Sequence, residues 1–172
     1  MENKKLKKWE NRLLFGAIAG GILLLYRTLL LIAGTNFNSI TSFLNFAFVA
    51  SLMILSMVKG TNKYRDDYFD GYISYKTSFT HGFFINLITG VLANIPEWVY
   101  TSFFGGKKVL LETAYNTMYE IYGSNFTDLY FPFFEKMYQP IPMLFFTIIG
   151  ACLTALLLAV IVAAFTRREK FI

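Results

Sequence analysis

Apolar residues gather along this chain in four stretches: residues 13–33, 40–58, 78–104 and 141–166. A helix rises 1.5 Å per residue, so about 20 apolar residues clear the ~30 Å hydrocarbon core of a bilayer. At these lengths only helices satisfy their own backbone groups in lipid, so each stretch is expected to be a membrane-spanning helix. The polar residues fall into a basic head (1–12), a short loop (59–77), a longer segment (105–140) and a tail (167–172). None of these is long enough to build a second core. The expectation is an all-α membrane protein in which residues 1–172 form one small four-helix domain.

The longer segment carries a pattern of its own. Leu111, Tyr115, Met118 and Tyr122 recur at helical spacing, while Glu112, Asn116 and Glu120 fall on other faces. That predicts an amphipathic helix over 108–122, lying at the membrane interface between spans three and four and ended by Gly123. Beyond it, Phe126, Tyr130, Phe131, Phe133, Phe134 and Tyr138 crowd around Pro132. Such aromatic density suits an interfacial belt or a surface that docks a partner.

Composition narrows the class. Of 172 residues, 55% are apolar and 16% charged, with a mean hydropathy of +0.47. A soluble domain carries about a quarter charged residues, so disorder, coiled coil and an ordinary soluble enzyme are excluded. A single cysteine, Cys152, excludes an internal disulfide and a cysteine-based zinc site. No HExxH, Gly-x-Ser-x-Gly or phosphate-binding glycine loop occurs, so no catalytic residues, metal or cofactor are expected.

Charge sets the expected orientation. Twelve of the sixteen basic residues lie on one side, in the head (Lys4, Lys5, Lys7, Lys8, Arg12), the short loop (Lys59, Lys63, Arg65, Lys76) and the tail (Arg167, Arg168, Lys170). Lys107, Lys108 and Lys136 face them, and Arg27 falls within span one. The positive-inside rule then places both termini in the cytoplasm of a bacterial inner membrane. The formal charge of +5 reflects that topology and is not the footprint of a nucleic acid. A cleaved signal peptide does not fit, because the first apolar run is too long and no Ala-x-Ala site follows at Gly34-Thr35.

Two charges lie inside the apolar stretches. Arg27 and Glu97 each sit ~9–10 Å below the same face of the bilayer, counting 1.5 Å per residue from the span ends. An isolated charge there costs up to ~3 kcal/mol, which pairing would offset, so the two are expected to form an intramembrane ion pair. Arg27 shares a helix face with Gly16 and Gly20 at 100° per residue. On span three, Gly82, Asn86, Gly90 and Asn94 form a polar stripe at every fourth position, with Thr89 and Glu97 in the same arc and Pro96 beside them. This stripe is either close helix packing with asparagine as glue or the polar lining of a pathway or of a site for a bound ligand. Ala151, Ala155 and Ala159 make a packing stripe on span four, and Cys152 beside it reads as a small buried hydrophobe. His81, the only histidine, stands about 100° off the polar arc and is expected to have no special role.

The short loop contains Tyr64-Arg65-Asp66 and then Gly71-Tyr72-Ile73-Ser74-Tyr75, with Asp70-Gly71 as a turn and Ser74 or Thr77 as a cap for span three. This passage, followed by Phe79 and Gly82, resembles a family of small four-span inner-membrane proteins of unknown function that is common in Bacteroidota. The resemblance implies a class and supplies no catalytic residues. The chain departs from that family in its compact, aromatic segment 105–140 and in Arg27. The expected function is that of a non-enzymatic structural or accessory subunit, with the lipid bilayer and a membrane-protein partner or second copy as its contacts. A small oligomeric transporter or channel using the polar face of span three is the alternative.

Overall fold

The structure, a computed structural model, describes residues 2–33 and 39–168, with side chains described for 7–33 and 43–168. The Gly34-Thr35 site and the side chains of Lys4, Lys5 and Lys170 lie outside the described residues. Six helices follow in order: α1 (Glu2–Ala33), α2 (Ser39–Tyr68), α3 (Tyr75–Phe103), α4 (Gly106–Tyr122), α5 (Ser124–Met137) and α6 (Pro140–Thr166). Four of them, α1, α2, α3 and α6, are long and apolar enough to cross a membrane. Among the described residues the only β-type pairing is one isolated bridge, Ile73 with Arg168.

Helix α3 is the centre of the bundle. It packs along α1 on one side and α6 on the other, with α2 across a third face. Of the four long helices it is the least apolar and the most enclosed. Helix α6 is its opposite: almost wholly aliphatic, it buries Ala151, Ala155, Ala159 and Ala163 against the bundle and turns Leu153, Leu157 and Phe165 outward. Small residues let the backbones approach. A Cβ on Gly16 would sit 2.8 Å from Ile88 Cβ, and one on Gly20 would sit 2.8 Å from Leu92 Cβ, both on α3. Gly90 of α3 faces Ala151 of α6 in the same way, at 3.1 Å. Met57, Ile85, Ala159 and Val162 fill the half of the bundle nearest the chain termini.

Several boundaries differ from expectation. Helix α2 does not stop at residue 58 but runs on to Tyr68, because Thr61, Tyr64 and Arg65 are buried against the bundle instead of facing water. The loop is therefore confined to residues 69–74, and Tyr64, Arg65 and Asp66 belong to a helix. Helix α1 likewise begins within the basic head, at Glu2. The aromatic run after Gly123 forms a second helix, α5, which pairs with α4 as a hairpin. Pro132 is tolerated in α5 because the carbonyl that it leaves unbonded is that of exposed Asp128. In the hairpin Tyr115 donates to Asp128 at 3.0 Å, and that bond holds its phenol above the usual tyrosine range. Cys152 is half-buried, at the margin of the alanine stripe, and not enclosed as expected.

The glycine contacts give a measurable contrast. Gly16→Ala and Gly20→Ala are expected to lower unfolding stability in detergent by about 1–3 kcal/mol through overpacking against α3. Gly21→Ala, whose added Cβ meets nothing within 4 Å, is expected to be neutral or to stabilise by up to ~1 kcal/mol through helix propensity.

Candidate functional site

A cavity of about 750 Å³ opens between α2 and α6, with α3 as its floor and α5 across its upper end. Its walls are mainly apolar: Val49 and Met53 from α2, Ala93 from α3, Phe146 and Leu157 from α6, and Phe134 from α5. Besides the hydroxyls of Tyr138, Thr147 and Thr154, the polar side chains that interrupt them are Arg27, Asn94 and Glu97, which form one cluster. Arg27 donates through Nη1 to Asn94 Oδ1, and the same Nη1 lies 3.7 Å from Glu97 Oε2. Asn94 in turn donates to the Gly90 carbonyl one turn below, at 2.8 Å, which fixes its amide orientation.

The elements explain this placement. Arg27 lies on the α1 face that carries Gly16 and Gly20, so the close approach of α1 to α3 delivers it to Asn94 and Glu97. Glu97 follows Pro96, which lacks an N–H and leaves the carbonyl of Leu92 without its helical donor. The Glu97 side chain remains 45% exposed, toward the cavity. Among the described residues its carboxylate accepts no hydrogen bond, since 3.7 Å is an ion-pair distance only. Tyr138 closes the upper end, where burial and the Glu97 charge hold its phenol above the usual range.

The stripe on α3 is divided by depth. Gly90, Asn94 and Glu97 border the cavity, whereas Gly82 faces Met57 and Thr61 of α2. Asn86 is fully enclosed, with neither amide atom bonded among the described residues. The stripe is thus not one continuous lining; its upper part borders the cavity and its lower part is packing. Ala151 borders the cavity, while Ala155 and Ala159 are enclosed in helix contacts.

A second polar cluster lies at the end of the bundle that holds the termini, and its centre is His81. This fully buried ring stacks on Tyr64 at 4.1 Å and 2°. Its Nδ1 accepts from Arg12 Nε at 3.3 Å, and its Nε2 lies 2.8 Å from Asn11 Oδ1. Because arginine only donates, the ring proton sits on Nε2 and is donated to Asn11. Arg12, only 2% exposed, is also held between the rings of Trp9 and Phe84, with centroids 4.8 and 4.6 Å away. Charge pattern alone counts Arg12 in the basic head and gives His81 no functional role; the structure encloses both side chains within the bundle. The signal was available: Arg12 stands one turn before Gly16 on the same face of α1.

The loop residues form a clasp beside that cluster. Ser74 caps α3, accepting from the Thr77 amide at 3.4 Å. Arg65 binds Asp66 at 2.8 Å and donates to the carbonyl of Thr166 at 3.4 Å. Tyr75 donates to the Val160 carbonyl at 3.2 Å, and Ile73 and Arg168 exchange backbone bonds at 2.8 and 3.0 Å. Asp70 and Gly71, at φ 49° and 84°, make the turn that brings this about. Tyr72 stands outward on the loop.

The arrangement is that of an all-helical chain with four helices of membrane-spanning length and a charged pair at the edge of an apolar cavity. Among the described residues no three His, Cys, Asp or Glu side chains gather as a metal site would need. Residues 14–168 match the family described as "Protein of unknown function (DUF4199)". The chain belongs to that family. No curated protein and no solved structure matches it.

Because Arg27 keeps Asn94 when Glu97 is lost, the two charges are not equivalent. Arg27→Met is expected to destabilise by about 2–4 kcal/mol and Glu97→Gln by less. The double variant should cost about 1–2 kcal/mol less than the sum. Strict additivity in a double-mutant cycle, read by unfolding in detergent, would reject the pair.

Proposed function

We propose that this protein is a non-enzymatic, multi-pass component of a bacterial inner membrane, an accessory subunit that works by holding a partner molecule within the plane of the bilayer. The cavity between α2 and α6 is the observation that carries this reading. Its volume lies in the range of ligand pockets, its walls are apolar, and its few polar groups converge at one end. Both termini face the cytoplasm, on the strength of the basic residues, and the α4–α5 hairpin lies at the opposite interface. In that setting the hairpin, with Phe134 and Tyr138 over the cavity, closes the outer end of the site.

A small transporter or channel is the second reading, favoured by a half-exposed Glu97 next to a proline within α3. Below the cavity, however, Met57, Ile85, Ala159 and Val162 are packed tightly together. A path through one copy would have to part that core.

Extraction in mild detergent followed by mass measurement of the intact chain separates the two. A molecule retained in about one-to-one amount, and lost when Gly150→Trp fills the cavity, is the expected result. Gly150 suits this purpose because it borders the cavity and a Cβ there meets nothing within 4 Å. Solute flux into proteoliposomes above the protein-free rate, abolished by Glu97→Gln, would replace the subunit by the transporter. Topology has its own check: reporters fused at residue 172 and near Gly123 are expected on opposite sides of the membrane, and the same side for both would break the four-span arrangement.

A further inference from the structure

We propose that the cavity takes a zwitterionic amphiphile, a phospholipid with a primary ammonium, its amine on Glu97 and its phosphate on Arg27. This rests on the reading of the cavity as a binding site and adds the chemistry of what it binds.

Consider first what the polar end leaves unsatisfied. Arg27 uses only Nη1 among the described residues, so its Nε and Nη2 still have N–H groups to give. The Glu97 carboxylate is offset by a cation at ion-pair distance yet accepts no hydrogen bond. A guanidinium with donors to spare asks for an anion with several acceptor oxygens, and phosphate fits a guanidinium fork well. A carboxylate without a donor asks for an N–H cation. Arg27 and Glu97 lie side by side, so one ligand must offer both signs a few ångströms apart. A headgroup with an ammonium two carbons from a phosphate does this. An anionic headgroup would set a negative charge against Glu97, and a free cation would set a positive one against Arg27.

The rest of the cavity selects an acyl chain. Gly90 faces Ala151, so Asn94, one turn higher, is level with Thr147 of α6, and the lining from there to Leu158 runs about 16 Å at 1.5 Å per residue. That matches one hydrocarbon leaflet, roughly 15 Å or half of the ~30 Å core. Below Asn94 the walls are Ala93, Met53, Leu157 and Leu158, with Thr154 the sole hydroxyl among these lower residues. Thr154 already donates to the carbonyl of Gly150 at 2.9 Å, so it presents no unsatisfied donor to a hydrocarbon chain. The entrance lies between α2 and α6, where exposed Phe46 and Leu157 would meet lipid directly. Charge at the end near the hairpin and hydrocarbon below it is the polarity of a lipid in that leaflet.

The test uses the full chain in nanodiscs with equal amounts of phosphatidylethanolamine, phosphatidylcholine and phosphatidylglycerol, followed by native mass spectrometry of retained lipid. The unaltered chain is expected to retain phosphatidylethanolamine over the other two by about tenfold, the worth of one charge-assisted hydrogen bond. Phosphatidylcholine is the sharp comparison, because its methylated ammonium keeps the charge and loses every N–H. Glu97→Gln should bring those two lipids within about twofold of each other, and Gly150→Trp should remove retained lipid of every kind. The preference on the unaltered chain needs no variant to fold. Retention that is lost in Gly150→Trp but shows no headgroup preference, or prefers phosphatidylglycerol, overturns the zwitterion and leaves the cavity reading standing. Retention unchanged by Gly150→Trp, or no retention from any of the three lipids, overturns both.

Discussion

Helix α3, of membrane-spanning length, carries His81, Asn86, Thr89, Asn94 and Glu97, and apolar surroundings offer no hydrogen bond to any of them. The other three long helices enclose His81, Asn86 and Thr89 completely and leave Glu97 half exposed. Helix α1 supplies Asn11 and Arg12 to His81 and Arg27 to Asn94, and its glycines let it come close enough to do so. Helix α6 supplies the small-residue face on which Gly90 rests. Thr89 shows how close the contact is, bonding both its own helix and the backbone of Gly16 on α1. Where the enclosure is complete the bundle is solid, and where α2 and α6 stand apart the cavity begins.

This explains which features could be read from the chain. The four long helices follow from apolar length alone, since an apolar run of that length satisfies its backbone groups within itself only as a helix. Arg27 and Glu97 could be assigned one depth because helical rise does not depend on sequence, and one face because the glycines repeat every four residues. The extent of α2 could not be read so directly. Residues 59–68 are polar enough for a loop, and only the packing of Thr61, Tyr64 and Arg65 against neighbouring helices keeps them helical. Helix α5 was hidden by Pro132, although Thr127, Phe131, Phe134 and Tyr138 already have the 4-3-4 spacing of its inner face. The enclosure of His81 is hidden in the sequence for a different reason. It does lie off the polar stripe, but the face it occupies is turned to α1, and which neighbour fills a given face is a tertiary fact.

The passage that resembled a known family has a structural meaning in this molecule. Tyr64 stacks on His81, Arg65 reaches the last turn of α6, Ser74 starts α3 and Gly71 permits the reversal between them. These positions join the ends of three helices at one place. They account for the motif without any ligand, and they lie at the opposite end of the bundle from the cavity. A signature carried by the loop therefore speaks for the architecture and is silent about the cavity's occupant.

The bridge between Ile73 and Arg168 has a mechanical consequence. Helix α6 is fastened at its last turn to the α2–α3 corner, and at its first turn it continues directly from the hairpin through Tyr138 and Gln139. One end is an anchored pivot and the other a joint. With one end so fastened, a widening of the gap between α2 and α6 would be a swing of α6 about that end, larger at Pro140 than at Thr166. Trp98 of α3 holds the swinging end by a single indole bond to the Pro140 carbonyl, at 2.9 Å. The two ends of α6 are thus held unequally, one by the backbone bridge together with Arg65 and Tyr75 and the other by one indole hydrogen bond.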